Sequence, residues 1–190
     1  MFDAVFTTTT EYQKLSHALS GKGACALFGL PASGRAQVYA ALCRQLDKPL
    51  CIVTPGEAEA TRFAADLNTL GIPAAVFPAR DYVLRPIEGT AREYEYRRLA
   101  VLGELVGGRL RAVAVPAEAL TQFTTPKEDF CANTRTLHAG DTLLRDDLLA
   151  ALFGAGYTRR AQVDGPGQLS VRGDIVDIFA PDQKMPVRME

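Results

Sequence analysis

Short, uniformly apolar runs punctuate the chain, separated by longer segments whose apolar positions recur at helical spacing. The runs are Ala24 to Phe28, Leu50 to Val53, Ala74 to Phe77 and Ala112 to Val115, too short for helices and without polar alternation. That is the pattern of strands buried on both faces of a parallel sheet. Helix starts are marked by threonine followed three residues later by glutamate, because the two side chains satisfy backbone donors that a first helical turn leaves orphaned. Thr8 with Glu11, Thr54 with Glu57 and Thr90 with Glu93 fit, and Pro55 suits the first helical position because it has no N–H to lose. Helix, then strand and helix repeated, wind through right-handed crossovers into an open parallel sheet.

After Pro116 the texture changes. Thr121 to Lys127 is polar and threonine-rich, as a boundary or linker would be. A strand is expected at Thr134 to His138, then an amphipathic helix from Arg145 to Phe153 closed by Gly154 and Gly156. The last segment reads as a β meander: Thr158 to Val163, the turn Gly165-Pro166-Gly167, Gln168 to Arg172, Ile175 to Phe179 and Met185 to Met189. The chain stops at Glu190 inside an apparent strand, as a piece of a longer protein would.

Composition narrows the function. With 190 residues, 47% of them apolar, the chain can bury a core, and 21 basic against 22 acidic side chains leave no basic footprint for duplex DNA or an anionic membrane. No signal peptide and no spanning run is seen, so a cytoplasmic location is expected. Cys25, Cys43, Cys51 and Cys131 form no Cys-x-x-Cys pair, and Cys25 and Cys51, in strand-like runs, read as buried inert thiols. His17 and His138 are isolated, so no metal site is expected. Arg172-Gly173-Asp174 spells an adhesion tripeptide, which an intracellular chain has no use for. Arg92, Arg97 and Arg98, interleaved with Glu93 and Glu95, read as a solvated, salt-bridged helix face.

Gly29-Leu30-Pro31-Ala32-Ser33-Gly34-Arg35-Ala36 has the glycine spacing of a phosphate loop between a strand and a helix. Its working parts are changed. Arg35 stands where a lysine would neutralise the β- and γ-phosphates, and Ala36 stands where a hydroxyl would hold magnesium. Pro31 removes one amide from the anion nest. Val113-Ala114-Val115 runs into Pro116 with no acidic pair at its end, and Asp177 lies inside an alternating strand. Losing both metal grips removes several kcal/mol of transition-state stabilisation, so nucleotide hydrolysis and a nucleotide cofactor are not expected. The expected fold is α/β: a degenerate P-loop-type parallel sheet domain over residues 1–120 and a small α+β domain, an antiparallel meander plus a helix, over residues 121–190.

With that loop in view, further stretches carry a family likeness. Phe77-Pro78-Ala79-Arg80-Asp81 with the helix Glu93 to Leu105, and above all Gly156-Tyr157-Thr158-Arg159, Gly165 to Gln168 and Val171-Arg172-Gly173-Asp174-Ile175-Val176-Asp177-Ile178-Phe179-Ala180-Pro181, resemble the region shared by bacterial UvrB and the transcription-repair coupling factor. UvrB has a complete Gly-Lys-Thr loop and a long tyrosine-rich hairpin. This chain has Arg35-Ala36 and only the short join Pro78 to Gly89 with Tyr82, which resembles the N-terminal part of the coupling factor. That resemblance implies a nucleotide-free first domain and a second domain that binds UvrA.

It also implies that UvrA is met by arginines of the meander, matching Arg159 and Arg172, with Phe179 in the same stretch. Ser170 stands where UvrB has a further arginine. DNA translocation and RNA polymerase binding belong, in that family, to domains absent here. Residues 121–190 hold 8 basic and 10 acidic side chains, yet Arg159, Arg160, Arg172 and Arg188 all fall in the meander. Arginine's rigid fork suits carboxylates across an interface. The plainer reading pairs these arginines with Asp164, Asp174 and Asp177 as solvated strand residues. The expected function is a non-catalytic interaction region of a transcription-coupled repair factor that recruits UvrA to stalled RNA polymerase. A UvrB-like nucleotide- or DNA-binding domain and an autoinhibitory surface stay open as alternatives.

Overall fold

The computed structural model describes residues 7–21, 24–80 and 92–190. The Thr90 cap and the join around Tyr82 lie outside the described residues. The chain divides into two compact units, Met1–Ala79 with Gly107–Gln122, and Arg80–Val106 with Phe123–Glu190.

The first unit runs α1 (Thr10–Ser20), α2 (Ala32–Gln45), β1 (Leu50–Thr54), α3 (Glu57–Thr69), β2 (Ala74–Val76), then β3 (Ala112–Pro116) and the short α5 (Ala117–Leu120), with α4 (Arg92–Val106), a helix of the second unit, between β2 and β3 in sequence. The three strands are parallel in the order β1-β3-β2, with Ala114 opposite both Ile52 and Val76. Ile52, Ala112 and Ala114 pack under Ala36, Ala40 and Cys43 of α2 and Ala60, Phe63, Ala64 and Leu67 of α3. Small alanines on the strands and on both helices let the layers approach closely while Phe63 and Leu67 fill the remaining volume.

Sequence-based expectations for this unit fail in four places. Ala24–Phe28 forms no strand: these residues join no ladder and are exposed, Phe28 to 87%, and an apolar run becomes a strand only where a partner takes its backbone groups. Thr9, not Thr8, caps α1, its hydroxyl accepting from Tyr12 N at 3.3 Å. Thr54 is the last residue of β1 and donates to the Gly56 carbonyl at 2.9 Å, so Gly56 caps α3 and Pro55 precedes it. Of the thiols, Cys25 and Cys51 are exposed and Cys43 is the buried one, its thiol pushed up by burial against the opposing charges of Arg111 and Arg44.

Two side chains stitch helix ends to the sheet. Asn68 donates to the carbonyls of Ala64 and Ala74 and accepts from Ala74 N, tying α3 to β2. Arg111 donates to the Cys43 carbonyl at 2.6 Å and to the Leu46 carbonyl, closing the end of α2 where helical carbonyls lack partners. Arg111→Ala is therefore expected to destabilise the first unit by about 2 kcal/mol, read as a fall in urea midpoint, because hydrogen bonds from a charged donor exceed neutral ones.

The second unit comprises α4 (Arg92–Val106), α6 (Lys127–Ala132), α7 (Arg145–Gly154) and a four-stranded sheet, β4 (Thr158–Arg159), β5 (Gln168–Arg172), β6 (Ile175–Phe179) and β7 (Val187–Met189), in that spatial order. Residues 134–138 form no strand and are exposed, and α6 starts at Lys127 inside the expected linker. At the end of α7, Gly156 at φ +87° lets Tyr157 N reach the Leu152 carbonyl and Gly156 N reach that of Phe153. Leu152 and Tyr157 then join the core of Leu148, Leu169, Val176 and Ile178.

The sheet is mixed, not the all-antiparallel meander expected. β5, β6 and β7 are antiparallel, but β4 runs parallel to β5, with Thr158 opposite Gln168 and Arg159 opposite Leu169. The reason is the connection. Residues 160–167 cross over and bring the chain back in the same direction, with Thr158 N donating to the Gly167 carbonyl and Arg160 N to that of Leu169. Pro166, without an N–H, cannot serve as a ladder donor on the way.

A candidate protein-interaction face

Strand alternation gives this sheet two unlike faces. Leu169, Val176 and Ile178 face the core with Leu148 of α7. Ser170, Arg172, Asp177 and Phe179 take the alternate positions, where register sets Ser170 opposite Asp177 and Asp177 opposite Arg188. Arg172 and Phe179 therefore share one face. Arg159 lies opposite Leu169, on the register of the other face.

The two predicted arginines still meet at one place, the part of β5 that two-residue β4 leaves unpaired. Arg159 Nη2 donates to the Val171 carbonyl at 3.4 Å, and Arg172 Nη2 donates to the Ala161 carbonyl of the crossover at 3.0 Å. Ser170, only 3% exposed, donates its hydroxyl to that same Ala161 oxygen at 3.1 Å. Gln168 Oε1 accepts from Asp164 N at 2.8 Å, so the crossover is pinned at two points to the side chains beneath it. Gln162, Val163, Arg172, Asp177, Pro186 and Arg188 line an open depression of about 570 Å³ beside it.

The four arginines of this region differ in charge balance. Arg188 grips Asp177 with both Nε at 2.7 Å and Nη2 at 3.0 Å. Asp174 pairs with Arg145 at 3.4 Å instead. Arg159, Arg160 and Arg172 form no ion pair with a carboxylate among the described residues, and all three are exposed. The plainer reading, arginines paired with the acids of the same strands, thus holds for Arg188 and not for the other three. Three exposed guanidiniums outside any close ion pair, of which Arg172 acts on Asp177 only through its longer-range field, make a local positive patch that net charge conceals, suited to an acidic surface.

The last 55 positions carry a family match. Residues 136–190 match the family model described as the UvrB interaction domain. Beyond this segment, the chain is 34% identical over 187 residues, 94% of its length, to a transcription-repair-coupling factor of Mycobacterium bovis. It is 29% identical over 166 residues, 86% of its length, to that of Bacillus subtilis and 27% identical over 164 residues, 85% of its length, to that of Staphylococcus aureus. The chain spans only 14 or 15% of the length of these curated relatives. The resemblance read from the sequence is borne out.

Around the interaction domain, α4 closes the second unit. Arg92 donates to the Gly156 carbonyl at 3.1 Å, and the Tyr96 hydroxyl presses on Gly167. Arg98 is only 4% exposed and donates to Thr124 Oγ1 at 2.9 Å, while Arg97 lies over the Tyr94 ring at 5.8 Å. These arginines do not form the single solvated face expected of them: each is turned to a different partner, and Glu95 pairs with Arg80 at 3.4 Å. Burial, with Asp182 and Tyr96 nearby, pushes the Tyr157 phenol up.

The elements placed around the predicted phosphate loop also differ from expectation. No strand precedes Gly29 among the described residues, and α2 begins at Ala32, so that Arg35 N is already bonded to the Pro31 carbonyl at 3.0 Å. Gly34 lies buried in the first turns, Arg35 Nη1 stands 4.0 Å from Glu59, and Ala36 sits in the core, 3% exposed. Among the described residues no group of three or more His, Cys, Asp or Glu is placed to hold a metal ion, and no helix is long and apolar enough to cross a membrane.

One side chain of the interaction domain reports on acid. The hydrogen bonds from Arg188 hold the Asp177 carboxyl below the usual carboxylate range; desolvation opposes this, and the positive charges of Arg188 and Arg172 add to it. A carboxyl whose folded-state pKa is depressed stabilises the fold above its unfolded value of about 3.9 and loses that contribution as pH falls through the folded value. Asp177→Asn is expected to flatten the pH dependence of the urea midpoint below about pH 4 and to leave its shape near neutrality unchanged.

Proposed function

We propose that this chain is a non-catalytic protein-interaction region of a transcription-coupled DNA repair factor, and that its interaction domain binds UvrA and brings it to stalled RNA polymerase. The observation that carries this reading is the trio Arg159, Arg160 and Arg172, exposed and outside any close ion pair among the described residues, within a segment that matches the UvrB interaction domain. The relatives' printed name, transcription-repair-coupling factor, supplies the process. Engagement of RNA polymerase and of DNA is assigned to other parts of the much longer full-length proteins, and the setting to the cytoplasm.

The first unit acts in this reading as a scaffold with the outline of a degenerate phosphate loop. Arg35 is turned to Glu59, and Ala36, buried under the sheet, brings no oxygen to a cation. Neither a phosphate-neutralising lysine nor a magnesium hydroxyl is present in this loop, so ATP turnover is not assigned to it.

Calorimetric titration of the chain with UvrA tests the proposal. A complex weakened by added salt and indifferent to magnesium ATP is the expected result. Absence of any complex at micromolar concentrations would remove the reading.

A further inference from the structure

We propose that the crossover, residues 160–167, is itself a contact element of the UvrA-binding face, and that buried Ser170 is the positioning residue that sets it. This deepens the function proposed above and rests on it. The crossover lies over the side of β5 that carries Ser170 and Arg172, and its outward residues Arg160, Ala161, Gln162 and Asp164 are exposed while Val163 is half-buried. Loops offered to a partner lose affinity through the entropy of ordering them, and pins set beforehand remove that loss. Here the pins are specific: the Ala161 carbonyl accepts from both Ser170 Oγ and Arg172 Nη2, and Asp164 N donates to Gln168 Oε1.

Ser170 has no surface to offer a partner. It sits in mid-strand between Leu169 and Val171, where a buried hydroxyl costs free energy unless bonded, and its bond goes to the crossover. The residue thereby fixes the backbone that presents Arg160 and Gln162 next to Arg172. The chemistry so presented, guanidinium and amide donors on the crossover and on β5 beneath it, fits an acidic segment of the partner.

Titration with UvrA of the whole chain carrying Arg160→Glu, Ser170→Ala, both together, or Arg172→Glu decides the matter. Arg160→Glu is expected to weaken binding about tenfold and Ser170→Ala about fivefold, with the double variant much less than the product of the two, since both act through one element. Faster amide exchange at residues 161–164 is expected to accompany Ser170→Ala. Unchanged affinity in both single variants, with Arg172→Glu still abolishing binding, would overturn this inference and leave the proposed function standing. Additive losses would overturn the positioning role. Arg160 is exposed, so its variant folds and decides the contact role even where Ser170→Ala does not fold. No binding by the unaltered chain would overturn both readings.

Discussion

Arg172→Glu is expected to reduce UvrA affinity by about thirtyfold or more, corresponding to roughly 2 kcal/mol for an interface arginine, and Arg159→Glu to have a comparable effect. Two losses combine at Arg172. A negative charge replaces one of three exposed guanidiniums, and one of the two donors to the Ala161 carbonyl disappears, leaving that oxygen to Ser170 while Gln168 still accepts from Asp164 N. Arg172→Lys separates them: it keeps the charge, but a single ammonium on a flexible stem replaces the planar fork, so an intermediate affinity is expected. Titrations at two salt concentrations add a second readout, because reversal of a charge at the face should also reduce the salt dependence. Wild-type affinity in both Arg159→Glu and Arg172→Glu would exclude the β4–β5 edge as the binding surface.

Gly167→Ala is expected to destabilise the second unit by about 3 kcal/mol, since left-handed backbone costs an ordinary residue about 1–2 kcal/mol and overpacking adds a similar amount. Gly167 has φ +75°, and a Cβ there would run into the Tyr96 hydroxyl, with the phenol carbon 2.5 Å away. Gly167 also lies at the joint of the fold: its N–H donates to the Phe179 carbonyl at 2.8 Å and its carbonyl accepts from Thr158 N at 2.9 Å. Combining it with Tyr96→Ala should recover the steric part only, so the double variant remains less stable than Tyr96→Ala alone. Thermal unfolding followed by near-ultraviolet tyrosine signals measures this. A Gly167→Ala protein as stable as the parent would mean that α4 does not press on the crossover.

What could be seen beforehand in the sequence was what local pattern determines. The parallel strands at Leu50, Ala74 and Ala112 are continuous apolar runs, and α7 ends where Gly156 permits the reversal. Arg172 and Phe179 fall on one face by simple alternation along β5 and β6. What pattern could not show depends on partners distant in sequence. The apolar run Ala24–Phe28 looks like its neighbours but finds no ladder, and β4 was expected to extend to Val163 although only Thr158 and Arg159 pair. The parallel sense of β4 is set by the path of the crossover, which no residue type announces. Ser170 looks like a polar residue on an exposed strand face. It is buried because Ala161, nine positions earlier, folds over it.

The distribution of sulfur gives the molecule a practical property. Cys43 is sealed beneath the sheet with its thiol held protonated, whereas Cys25 and Cys51 in the first unit and Cys131 in the second are open to solvent. Since alkylation requires an accessible thiolate, serine at positions 25 and 51 leaves Cys131 as the sole attachment point for a fluorophore. Such a probe, carried by the second unit, would report the tumbling of the chain free or joined to a larger body, without any change to the arginines under test.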